Sequence, residues 1–139
     1  MINKILIAYD GSTYSKRAFE IGLQMAALRN HEAIVVLSVV EVPEPSMIYE
    51  TEALLEEANK HYEKDFVGLR AAAKTAGVGI EERVVAGHVS DQIIQHATDV
   101  NADLIVMGHR GKSVIQRWLL GSVSKRVISY APCSVLIVR

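Results

Sequence analysis

Two short segments hold the residues best suited to chemistry on a small ligand. The first is Asp10-Gly11-Ser12. The second is Gly108-His109-Arg110-Gly111-Lys112-Ser113, followed by Gly121-Ser122-Val123-Ser124. Glycines let the backbone approach a ligand and turn its N–H groups inward, as a phosphate requires. A helix opening at Gly121-Ser122 would add free N–H groups and the positive end of its dipole. Ser122 and Ser124 offer hydroxyls, and Arg110 and Lys112 offer charge. The indicated chemistry is therefore anion binding in a glycine cradle. Gly111-Lys112-Ser113 matches the end of a P-loop, G-x-x-x-x-G-K-[ST], but Val106 stands where the first glycine belongs. Asp10, at the end of an apolar run, resembles a Walker B aspartate only superficially.

Other reactive types point to structural roles. His31, His61, His88, His96 and His109 show no H-E-x-x-H spacing and no neighbouring cysteine, so no metal centre is expected. Cys133 follows Pro132 and leads into an apolar run, which predicts an inert core thiol. No G-x-S-x-G elbow is present, and no catalytic residue is assigned. Trp118, with Leu119 and Leu120, is expected to pin a loop to the body or to a partner.

The elements that must position these segments alternate between two periods. Ile5 to Tyr9 is a continuous apolar run, as a strand buried on both faces requires. Asp10-Gly11-Ser12 is turn and N-cap chemistry. Ala18, Ile21, Met25 and Leu28 then recur at helical spacing up to Asn30. Ala33 to Val40 is a second strand, and 41–46 a loop, because prolines at 43 and 45 block a helix. Leu54, Ala58, Tyr62, Phe66, Leu69, Ala73 and Ala76 form one helical stripe that stops at Gly77. Gly68, inside it, predicts close packing. Ile80 to Ala86 is a third strand. Ser90 caps a helix with Ile93, Ile94 and Ala97 inward. Asp103 to Met107 is the fourth strand. A loop of about thirteen residues reaches Ser122, read as the cap of a helix ending at Ala131. Val135 to Val138 is the fifth strand.

Strands alternating with helices predict an α/β fold, an open five-stranded parallel sheet with helices on both faces. The expected order is 3-2-1-4-5, which makes strands one and four neighbours at the reversal point, where such sheets bind ligands. Both polar segments would then face one crevice. The fifth strand would lie at the sheet edge, apolar and without proline, and such an edge calls for a cover.

Composition bounds the reading. The 139 residues, half of them apolar, are enough for a single domain spanning 1–139 and too ordered in type for a disordered chain. A net charge of -1 gives no field to draw nucleic acid, so no nucleic-acid partner is expected. No apolar run approaches the ~18 residues of a membrane span. With one cysteine and no signal-peptide cleavage region, the expected location is a reducing cytoplasm.

Gly108-x-x-Gly111, nine residues, then Gly121-Ser122 resembles the G-2x-G-9x-G-[ST] motif of the ATP-binding universal stress proteins. The opening Ile5 to Ser12 and the closing Ala131 to Val138 are similar too, so the resemblance spans the chain. It implies a Rossmann-like sheet, a homodimer and bound ATP, in a regulatory stress-response module. It puts Asp10 beside the adenosine, with Ala8 and Tyr9 as adjacent backbone, and Val39 at the adenine edge. Met107 and Gly108 fall under the ribose. Gly111, Gly121, Ser122, Val123 and Ser124 fall in the ribose and phosphate shell, and His109 and Arg110 in the variable pair between glycines. Mg2+ would accompany the ATP, held mainly through phosphates. The implied homodimer pairs two copies of the edge strand 134–139. Two rival readings stay open. One is a slow ATPase or nucleotide-dependent transferase on the same fold. The other is a structural partner protein with a vestigial site. Bland roles stay open too: Asp10 as a helix N-terminal acid, Arg110 and Lys112 as surface charges, Met107 as core.

Overall fold

Apolar runs without polar alternation need cover on both faces, and the computed structural model provides it. It describes residues 2–29, 33–42, 48–111 and 120–139. The elements run β1 (Ile5–Ala8), α1 (Thr13–Leu28), β2 (Ala33–Glu41), α2 (Ile48–Ala76), β3 (Gly79–Gly87), α3 (Val89–Asp99), β4 (Leu104–Gly108), α4 (Ser122–Tyr130) and β5 (Ser134–Val138). The strands pair in parallel in the order β3-β2-β1-β4-β5, the expected winding.

Alternate residues of each strand feed two cores. Ile5, Ile7, Ile34, Val36 and Val106 pack with Phe19 and Leu23 of α1 and with Tyr62 and Phe66 of α2. Leu6, Val35, Leu37, Ile105 and Met107 pack with Ile93 and Ala97 of α3 and Val127 of α4. The central strands are thus sealed on both sides, which is why their sequence is continuously apolar. No helix of the described residues is long and apolar enough to cross a membrane.

Several local expectations are corrected. The buried face of α1 is Ser15, Ala18, Phe19, Gly22, Leu23 and Ala26, whereas Leu28 is 85% exposed. The helix turns its smallest residues to the sheet: a Cβ on Gly22 would lie 2.7 Å from Ile7 Cδ1. Close packing therefore belongs to Gly22 and not to Gly68, where a Cβ would meet no atom within 4 Å. The stripe of α2 is buried only in its middle, and Leu54 and Ala76 are exposed. Glu41 is the last residue of β2 and not a loop residue, because β3 pairs with β2 as far as Glu41 opposite Gly87. His88, not Ser90, precedes α3, and Gly121, not Ser122, occupies the N-cap of α4 with extended backbone. Cys133 is half-buried, with its thiol pushed up chiefly by burial. Trp118, Lys112 and Ser113 lie outside the described residues.

Candidate functional site

β1 and β4 are hydrogen-bonded neighbours whose next partners lie on opposite sides, so their carboxyl ends open onto one crevice. At the β1 end the Tyr9 amide still donates to Leu37 O (2.9 Å), and Ser38 Oγ donates to Tyr9 O (2.7 Å). The chain then turns sharply. Ser12 N donates to Asp10 Oδ1 (2.9 Å), and Ser12 Oγ caps α1 by accepting from Ser15 N (3.1 Å). The Asp10 carboxylate is therefore oriented by its own turn. The Tyr9 ring sits in the core beside Tyr62 and Phe66, and its hydroxyl donates to Asp65 Oδ2 (2.8 Å). Burial, reinforced by Asp65, keeps that phenol protonated well above its ordinary range.

At the β4 end the chain is folded back on itself. His109 N donates to Val138 O (2.8 Å), Gly121 N to His109 O (2.9 Å), and Ser124 Oγ to Gly108 O (3.0 Å) and His109 O (3.2 Å). These bonds dock the start of α4 against the end of β4. They also commit the Ser124 hydroxyl hydrogen to backbone carbonyls, so Ser124 offers a ligand its amide and its lone pairs rather than a hydroxyl donor. The two segments meet at Gly111, where a Cβ would lie 2.7 Å from Asp10 Oδ2.

Between them lies a cleft of about 550 Å³. Ala8, Tyr9, Asp10, Val39, Met107, Gly108, Arg110, Gly111, Gly121, Ser122, Val123 and Ser124 all line it. Arg110 is only 7% exposed and is no plain surface charge. His109 does not line the cleft. Its ring is buried and edge-on to Tyr14 at 5.1 Å, so it meets the site through its backbone alone. Ser12, of the first segment, lines it as well, and sequence reasoning missed Ser15, Leu37, Glu41, Val89 and Ile93, which also line the cleft. The signal was present: Leu37 and Glu41 flank Val39 at the strand period, and Val89 and Ile93 are spaced by one helical turn.

The cleft has two ends of different character. Leu37, Val39, Val89 and Ile93 make one apolar, while glycine backbone, Asp10, Arg110 and the start of α4 make the other polar. Among the described residues no group of three or more His, Cys, Asp or Glu side chains gathers to hold a metal.

His109 Nδ1 is buried and has no hydrogen-bond partner among the described residues. Burial, with the Arg110 and Arg139 guanidiniums nearby, pushes its pKa below 6.5. As pH falls through about 6.5 the unfolded chain takes up this proton before the folded one. The contribution is thus fully present above that pH and is lost below it. Thermal melts at descending pH should show Tm falling, with a shallower slope for His109→Gln. Parallel slopes would remove His109 from the account.

The comparisons with known proteins agree with this architecture. The profile of the universal stress protein family matches residues 1–139. A universal stress protein of Thermus aquaticus is 38% identical over 141 aligned positions, covering 100% of both chains. The solved universal stress protein UspA from Lactobacillus plantarum superposes with a TM-score of 0.83 at 25% identity, covering 99% of this chain and 98% of its own. A universal stress protein solved in complex with cAMP superposes at 0.75 with 32% identity, covering 99% and 97%. Sequence and fold agree over the full length compared, and the chain belongs to the universal stress protein family.

Proposed function

We propose that this protein is an ATP-binding regulatory module of the stress response, acting as a cytoplasmic homodimer. The observation that carries the reading is the meeting of Asp10 and Gly111 at the polar end of a cleft whose other end is apolar. The phosphates would take the glycine end, bound by amides of Gly111 and of 121–124, by the α4 dipole and by Arg110. The base would take the apolar end beside Val39. The relative solved with cAMP supports an adenine nucleotide as ligand. Mg2+ would offset phosphate charge and be held mainly by phosphate oxygens. The chain's single cysteine suits a reducing compartment. The test is direct: denature the purified protein, identify the released nucleotide by mass spectrometry, and titrate the emptied protein with ATP. Failure to bind any adenine nucleotide would overturn the reading.

The rival, a slow ATPase or nucleotide-dependent transferase, needs an oriented base at the terminal phosphate. Asp10 is held by its own turn through Ser12 N, and the resemblance puts it near the nucleoside. Turnover is therefore expected far below the ~1–1000 per second of dedicated enzymes. Hydrolysis above about one per second that disappears in Asp10→Ala would favour the enzyme.

A further inference from the structure

Along β2 the alternate residues Val35, Leu37, Val39 and Glu41 project onto the α3 face of the sheet. Val35 and Leu37 are 1% exposed, Val39 is half-buried and Glu41 is exposed, so this row rises from the core to the mouth of the cleft. It ends in a carboxylate on the otherwise apolar side, opposite Val89 and Ile93 of α3. Glu41 is not on a loose loop. Its backbone is paired opposite Gly87, and Val42 N donates to Gly87 O (3.2 Å) just beyond it. Among the described residues its side chain has no hydrogen bond or ion pair.

We propose that Glu41 reads the 6-amine of a bound adenine by accepting a hydrogen bond from it, and so favours adenine over a purine that lacks the amine. This rests on the nucleotide reading above. A carboxylate is an acceptor only. At this end of the cleft it repels phosphates, which the glycine backbone and Arg110 attract to the other end. Toward the base edge it then discriminates. The 6-amine of adenine donates to it, whereas a purine without that amine offers no donor at the same position. Sites built to bond such a group reject analogues lacking it more strongly than apolar pockets reject a missing methylene.

The experiment is calorimetric titration of the emptied full chain with ATP, purine riboside triphosphate and GTP, each with Mg2+. Purine riboside triphosphate lacks only the 6-amine. Wild-type protein is expected to prefer ATP over it by about tenfold or more, the value of one charge-assisted bond. Glu41→Ala should shrink that preference to within about threefold, chiefly by weakening ATP. Glu41→Gln, which keeps an acceptor oxygen, should fall between. Circular dichroism checks the fold of both variants. An unchanged preference in folded Glu41→Ala overturns the proposal. So does wild-type binding of purine riboside triphosphate as tight as ATP, or an equal loss of all three ligands in Glu41→Ala. If wild-type protein binds none of the three, the nucleotide reading itself fails and takes this inference with it.

Discussion

Gly111→Val is expected to abolish ATP binding while leaving the fold intact. Gly111 is exposed at the cleft mouth, so a side chain there displaces no core residue. Its Cβ would lie 2.7 Å from Asp10 Oδ2, closer than real contacts allow. Valine adds two methyls beyond that point. The Asp10 carboxylate must swing aside, against its bond from Ser12 N, and the added bulk fills the space between the two segments at the phosphate end. Losing two bonds to a charged phosphate, at about 1.5–3 kcal/mol each, predicts an affinity loss of about a hundredfold or more. Gly111→Ala, which adds the Cβ alone, should lose less. Calorimetry reads the affinity, and circular dichroism with a thermal melt reads the fold. Wild-type affinity in a natively folded Gly111→Val protein would remove the cradle from this loop.

The sheet was legible because its central strands are buried on both faces and therefore spell themselves as unbroken apolar runs. Ile5 to Ala8 and Leu104 to Met107 can be nothing else in a chain with helices between them. The convergence of Asp10 and Gly111 followed from strand order alone. Helix faces were less legible. Hydropathy spacing gave Ala18, Ile21, Met25 and Leu28: Ala18 is buried and Ile21 and Met25 pack against the core, but Leu28 is exposed, and the missing side chain of Gly22 lets α1 approach Ile7 closely. His109 was read as a site residue from its place between two glycines. Its direction is set by a long-range bond, His109 N to Val138 O, that no local pattern encodes. Glu41 was hidden by nearby prolines, which suggest a loop. Pairing with β3 extends the strand to include it.

Assembly offers the second large effect. β5 lies at the sheet edge beyond β4, and Val135, Leu136 and Ile137 are only half-covered. In a strand the N–H and C=O of one residue point the same way, and successive residues alternate. Val138 O accepts from His109 N, so the polar groups of Val138 and Leu136 face β4. Those of Val135 and Ile137 consequently face outward, with no backbone partner among the described residues. An apolar edge with outward amides invites a second strand. A second copy related by a two-fold axis would supply one in antiparallel pairing and cover the β5 edge of both copies. Ile137→Pro is the sharp test, because it removes an outward donor and no donor of the β4–β5 ladder. Leu136 is already extended, as a residue before proline prefers, so the strand itself should persist. Light scattering at tens of micromolar should give wild-type protein twice the 15.3 kDa chain mass, and Ile137→Pro a mass near 15.3 kDa with a native circular dichroism spectrum. A wild-type mass near 15.3 kDa would refute the dimer. A folded Ile137→Pro variant that stays dimeric would move the interface off this edge, because the pairing proposed here depends on the amide that the substitution deletes.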